Sequence, residues 1–133
     1  MRSTVGPKQF MEVEGKPILI YTLERFDKHE KVDGIYLVVR DDKEALTRSL
    51  IEKFNIKKIR LVVSGSDEEL SSAHASILSG VMAMKRDGVL NDDLVLIHDG
   101  VRPIIDVDTI SKSIATAKKS GNAITCMPAH ETI

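Results

Sequence analysis

An α/β fold, with a parallel sheet covered by helices on both faces, is the architecture this sequence predicts, and three observations predict it. Four short segments are apolar at nearly every position: Ile35 to Val39 (IYLVV), Ile59 to Val63 (IRLVV), Leu94 to Ile97 (LVLI) and Ala123 to Met127 (AITCM). Strands buried on both sides read this way, and that is the habit of parallel sheets. Between them lie stretches whose apolar residues recur at steps of three and four, the period of an amphipathic helix. Strand and helix alternate with no internal repeat, low-complexity stretch or linker, an order that calls for right-handed crossovers over one sheet.

Each element has its own signal. Ile18, Leu19, Thr22, Leu23 and Phe26 form a helical stripe opened by Pro17, whose fixed φ suits a first turn. A second stripe runs through Ala45, Leu46, Leu50, Ile51 and Phe54 within 42–54, and a third through Leu70, Ala73, Ile77, Val81 and Met84. Val107, Ile110, Ile114 and Ala117 make a fourth, with Asp106 placed to cap its start and Gly121 just past its end.

Composition excludes several classes of protein. The 133 residues suffice for one buried core, and 42% hydrophobic with 29% charged residues is ordinary globular usage. A net charge of -1 and 4% aromatics without tryptophan argue against wrapping or stacking on nucleic acid. No apolar run approaches the roughly 20 residues of a membrane span, and no signal-peptide core is visible. A single cysteine, Cys126, predicts a reduced, cytoplasmic setting, and its place in the fourth strand predicts a buried, inert thiol. His29, after the first helix, reads as solvated, and His74 and His130 share no metal-ligand spacing with each other or with Cys126.

Open parallel sheets bind ligands beyond the carboxyl ends of their strands. Those ends here are Arg40-Asp41-Asp42, Ser64 to Asp67, His98 to Pro103 and Pro128 to Thr132, a rim of small residues, carboxylates, hydroxyls and arginine. Such a rim suits a phosphorylated ligand with a divalent metal. HDGVRP (98–103) carries most of this reading: Asp99 at a strand end is placed to hold Mg²⁺, which takes one or two carboxylates and completes its shell with water and phosphate. Arg102 can grip a phosphate bidentately, and Gly100 permits close backbone approach. In GPKQF (6–10), Lys8 could neutralise a polyphosphate during transfer, or be an ordinary solvated lysine. SGSDEELSSAHASILSG (64–80) leads from strand to helix and could present N–H groups to an anion or a base, although it has neither GxGxxG nor a Walker lysine.

GPKQF, EGKPILIYTLERF, VLIHDGVRP and GNAITCMPAHETI, in this order and across essentially the whole chain, resemble the cytidylyltransferases that charge polyol phosphates with CTP. That family includes the methylerythritol-phosphate enzymes of isoprenoid biosynthesis and the ribitol- or ribulose-5-phosphate enzymes of wall and capsule polymers. The resemblance implies a Rossmann-like three-layer sandwich with a mostly parallel sheet, of the nucleotide-diphospho-sugar transferase type, in a homodimer. It implies attack of a polyol-phosphate oxygen on the α-phosphorus of CTP, giving a CDP-polyol and pyrophosphate. Lys8 matches the lysine that stabilises the triphosphate, and Asp99 the carboxylate that holds Mg²⁺. Gly65 and Ser76 match the cytosine-binding loop; Arg102 and Thr132 match contacts to the polyol phosphate, Thr132 across the dimer interface.

The sequence also departs from that family. The family opens with a strand and a Gly-rich loop ending in Arg-Met; Met1 aligns with that methionine, so the first strand, the loop and the arginine are expected to be absent. The chain stops at Ile133, before the family's dimer arm, so 1–133 reads as a single but incomplete nucleotidyltransferase domain. Where the family often has Gly-Gly and an arginine three before the serine, this chain has Ser64-Gly65, an insertion and Ala73. A sheet without its first strand is expected to expose a slot. The expected acceptor is 2-C-methyl-D-erythritol 4-phosphate, with ribitol or ribulose 5-phosphate as the alternative toward which DGVRP and PAHETI lean. A non-catalytic nucleotide- or partner-binding remnant is the alternative of another class.

Overall fold

The computed structural model of the chain describes residues 6–126. After a 3₁₀ turn at Lys8–Phe10 comes an antiparallel hairpin of β1 (Glu12–Val13) and β2 (Lys16–Pro17). Glu14 (φ 52°) and Gly15 (φ 77°) turn it, both left-handed as a two-residue type I′ loop requires. Helix α1 (Ile18–Asp27) follows directly, and Lys16 Nζ ties the hairpin to it through Glu24 at 2.9 Å.

Strand β3 (Ile35–Arg40) leads through a 3₁₀ turn at Asp41–Lys43 into α2 (Glu44–Lys53), and β4 (Ile59–Gly65) pairs in parallel with β3. The pleat sends alternate β3 side chains to opposite faces. Ile35 and Leu37 pack against a core made by Leu19, Ile20 and Leu23 of α1 with Leu50 of α2 and Ile56. On the other face, α3 (Ala73–Arg86) approaches so closely that a Cβ on Gly80 would lie 3.1 Å from Val38. Helix, sheet and helix thus form the predicted three layers. Helix α4 (Val107–Ser120) buries Ile110 and Ile114, is capped by Asp106 on Thr109 N at 2.6 Å, and ends at Gly121 with φ 85°. No helix among the described residues is long and apolar enough to cross a membrane.

Two of the four predicted strands form. Leu94 to Ile97 is irregular and 36–63% exposed, and Ala123 to Cys126 is likewise irregular, with Ile124 88% exposed. A strand exists only against a partner backbone, and these two segments have the composition but no ladder to join. Cys126 is exposed rather than buried, which corrects the expectation of an inert core thiol; Met127 lies outside the described residues. His29 is the opposite correction, being 3% exposed. Its Nδ1 accepts from Lys31 N at 3.1 Å and its Nε2 meets Ser111 Oγ at 2.9 Å, joining the α1–β3 loop to α4. The third helix starts at Ala73, not Leu70, because Ser72 caps it on Ala75 N while Ser66 and Glu69 close a separate turn before it.

Two stability predictions arise from these contacts. Thr47 is fully buried in α2 and its hydroxyl has no hydrogen-bond partner. Thr47→Val keeps the shape and removes the orphaned oxygen, so unfolding free energy should rise by about 1 kcal/mol, read as a higher urea midpoint. The Tyr36 hydroxyl donates to Asp87, which also pairs with Arg60 Nε at 3.2 Å, linking β3, β4 and the end of α3. The Tyr36 bond, then Arg60, hold the Asp87 carboxyl below its ordinary range, so its contribution exists above the unfolded carboxylate value and is lost as pH falls through the folded one. Tyr36 is pushed upward, chiefly by Asp87, so its contribution is complete below the unfolded phenol value and lost as pH rises through the folded one. Tyr36→Phe should flatten both limbs of a melting-temperature profile against pH; an unchanged profile would remove the network from the account.

Candidate active site at the carboxyl rim

The rim is built by the turns that follow β3 and β4 and by the loop after residue 97. At the end of β3, Arg40 Nε lies 2.7 Å from Asp67 in the loop beyond β4 and 3.2 Å from Asp42. This guanidinium clamps two rim turns together. Glu44, at the start of α2, is held below the ordinary carboxylate range by the Ser64 side chain and then by Arg48, a second tie between the same turns.

The HDGVRP loop is a closed turn. Asp99 Oδ1 accepts from Val101 N at 3.1 Å, Asp99 O accepts from Arg102 N at 3.1 Å, and His98 Nε2 meets Arg102 O at 2.9 Å. It is fastened to α1 at three points. Thr22, 3% exposed, donates to Gly100 O at 2.8 Å, the Phe26 and His98 rings lie 5.0 Å apart, and Leu19 packs so near Gly100 that a Cβ there would sit 3.2 Å from it. A side chain at position 100 would press on the end of the Leu19 side chain. Thr22→Val would leave that carbonyl without its donor and should cost about 1–2 kcal/mol, with faster amide exchange across 98–102 as the specific readout.

Asp99 presents its carboxylate to solvent, one oxygen engaged by the turn and the other 3.6 Å from Arg102 Nε. A lone exposed carboxylate of this kind fits Mg²⁺, whose remaining ligands come from water and phosphate. No cluster of three or more His, Cys, Asp or Glu side chains that could hold a metal ion is present among the described residues.

A cavity of about 1080 Å³ runs between α1, β3, α3 and residues 92–101, and both Ser76 and Asp99 line it, as does Gln9 beside Lys8. Ser76 donates its hydroxyl to Ser72 O at 3.2 Å on the first turn of α3. Lys8 stands exposed in the first 3₁₀ turn, and it, Gly65 and Arg102 lie outside the cavity lining. Gly65 is buried at the end of β4, where Leu70 would meet a Cβ at 3.0 Å, so its smallness serves packing. Thr132 lies outside the described residues. Thr22 and Arg40 order the rim, yet sequence reasoning placed Thr22 only in a helical stripe; a threonine among core positions was its one signal.

The sequence profile of the 2-C-methyl-D-erythritol 4-phosphate cytidylyltransferase family matches residues 1–133. The chain belongs to this cytidylyltransferase family. It is 40% identical over 127 residues to a ribitol-5-phosphate cytidylyltransferase of Lacticaseibacillus paracasei, covering 96% of this chain and 52% of that protein. It is 38% identical over 133 residues to the enzyme of that name from Streptococcus agalactiae serotype Ia, covering 100% and 54%. A 2-C-methyl-D-erythritol 4-phosphate cytidylyltransferase of Clostridium botulinum (strain Langeland) is 37% identical over 123 residues, covering 92% and 50%. The crystal structure of 4-diphosphocytidyl-2C-methyl-D-erythritol synthase from Anaerococcus prevotii superposes with a TM-score of 0.64 at 31% identity, over 81% of this chain and 43% of that one. The chain thus spans about half the length of the curated relatives it matches, and its fold is the Rossmann-like α/β type expected.

Proposed function

We propose that this chain carries the nucleotide- and metal-handling rim of a cytidylyltransferase that transfers CMP from CTP to a polyol phosphate, with ribitol 5-phosphate as the acceptor. The observation that carries the reading is the HDGVRP turn, locked onto α1 by Thr22 while its Asp99 carboxylate faces solvent beside the cavity that Ser76 also lines. An acceptor phosphate oxygen forms a bond to the α-phosphorus of CTP, the bond to the bridging oxygen breaks, and its electron pair leaves with pyrophosphate. Little covalent work falls to the protein, so its residues position groups and neutralise charge. Asp99 holds Mg²⁺, which supplies charge neutralisation on the phosphates when bound. Lys8 stabilises the triphosphate, Ser76 faces the cytosine while Gly65 packs under Leu70 behind that loop, and Arg102 grips the acceptor phosphate with Thr132 of a second copy. The domain works in a cytoplasmic homodimer.

Ribitol 5-phosphate is preferred over the methylerythritol acceptor expected from sequence. The relatives bearing the ribitol name match with higher identity and over more of the chain. The family profile and the superposed structure support 2-C-methyl-D-erythritol 4-phosphate as the second reading. The test is the protein purified at whatever length its native source makes, given CTP, Mg²⁺ and each polyol phosphate in turn. Pyrophosphate release with ribitol 5-phosphate is expected. Release with 2-C-methyl-D-erythritol 4-phosphate alone would install the second reading, and release with neither would leave a non-catalytic remnant. An intact mass well above 14.7 kDa in the same sample would show that more than these residues make the enzyme.

A further inference from the structure

We propose that Thr22 is a positioning residue for the Asp99 carboxylate: its hydroxyl fixes the peptide plane between Gly100 and Val101, and that plane holds Asp99 with one oxygen engaged and the other left for a divalent cation. The inference rests on the metal-holding role given to Asp99 above, and it adds to that role a residue remote in sequence.

Packing alone does not explain a threonine here. Thr22 is 3% exposed on the side of α1 that also buries Leu19, Ile20 and Leu23, where a valine would have the same shape. A buried hydroxyl is costly unless it finds a partner. Within a helix the near partner is the carbonyl four residues back, and Ile18 O lies at 3.3 Å. Gly100 O is closer, at 2.8 Å, and a hydroxyl has one proton to give. The stronger bond therefore leaves the helix for the HDGVRP turn.

That carbonyl belongs to the same peptide group as the N–H that Asp99 uses. Gly100 C=O and Val101 N–H lie in one trans, planar unit and point in opposite directions. Thr22 holds the oxygen at one end, and at the other Val101 N donates to Asp99 Oδ1 at 3.1 Å. Hydrogen bonds in such a chain polarise one another, so the Thr22 bond also makes the Val101 N–H a better donor. Helix α1 is a braced support for this tether: Tyr21 donates its hydroxyl to Val13 O at 2.9 Å, and Glu24 pairs with Lys16 at 2.9 Å. Asp99 Oδ2 is left 3.6 Å from Arg102 Nε, beyond hydrogen-bond distance. One free carboxylate oxygen on a fixed plane suits a cation that draws its other ligands from water and phosphate. Without the Thr22 bond the plane is free to rotate, and the carboxylate turns with it.

The test uses the native-length protein with CTP and either Mn²⁺ or Mg²⁺. Mn²⁺ broadens the NMR signals of nearby amides, so the Mn²⁺ concentration that half-broadens Gly100 and Val101 reads metal binding without turnover. Thr22→Val should raise that concentration, and the Mg²⁺ concentration for half-maximal pyrophosphate release, each about tenfold. Thr22→Ser keeps the hydroxyl and should return both to within about twofold of the unaltered protein. Should Thr22→Val fold poorly, Gly100→Ala moves the turn off α1 by pressing on Leu19 at 3.2 Å, and it should shift both values the same way. Ile110→Val, a buried truncation in α4, should shift neither. In the Asp99→Asn protein, Thr22→Val should change the rate less than about twofold, because the hydroxyl acts through the carboxylate. Unchanged metal half-saturation in Thr22→Val, no recovery in Thr22→Ser, an equal shift in Ile110→Val, or the same loss with and without the Asp99 charge would each overturn the proposal. Broadening without pyrophosphate release in the unaltered protein would count against the cytidylyl-transfer reading, and the Mn²⁺ comparison would still decide the role of Thr22.

Discussion

Asp99→Asn, made in the native-length protein, is expected to lower pyrophosphate release from CTP by roughly 10²–10³-fold, the scale on which removing one electrostatic stabiliser of a transition state acts. The substitution separates chemistry from structure. An asparagine oxygen still accepts from Val101 N, so the turn and its Thr22 anchor persist while the negative charge is lost. The weak, exposed pairing with Arg102 adds little to stability, so the melting temperature should barely move. Raising Mg²⁺ or substituting Mn²⁺ should recover part of the lost rate. Full activity at unchanged metal requirement would remove Asp99 from the metal-binding role.

Ile20→Ala is the second large effect, and it acts on the fold. Ile20 is completely buried at the centre of the α1–α2 core, and its truncation should cost about 2–5 kcal/mol. That is a large share of the roughly 5–15 kcal/mol that holds a domain of ordinary stability together. A fall in urea midpoint with unchanged slope would show it. Ile104→Ala is the contrast: at 99% exposure it should leave the midpoint within about 0.5 kcal/mol. Equal losses at the two positions would mean that the core does not sit where Leu19, Ile20 and Leu23 place it.

How far the sequence could be read differs from element to element. All four long helices form on their three- and four-residue stripes, the third starting at Ala73 rather than Leu70, and Asp106 and Gly121 cap the last as expected, because capping is decided within a few residues. The hairpin at Glu12–Pro17 went unread, though Glu14-Gly15 is a two-residue turn, because its strands are too short to carry a pattern. Asp99 and Arg102 stand out in the sequence as candidates because a carboxylate and a guanidinium three residues apart after an apolar run form a local pattern. Thr22 does not, because its role lies in a hydrogen bond to a carbonyl 78 residues away. His29 was misjudged for the same reason: its partner Ser111 is remote in sequence.

By itself, then, the order of residues determined what is local: helix periods, caps, the apolar runs able to become strands, and the family to which their motifs belong. The tertiary structure decided what depends on neighbours. Ile35–Arg40 and Ile59–Gly65 became strands by finding each other, whereas Leu94–Ile97, equally apolar, stayed open across a slot. Helical hydrogen bonds close within four residues, but a strand's are made to another backbone, so a strand is a property of a pair.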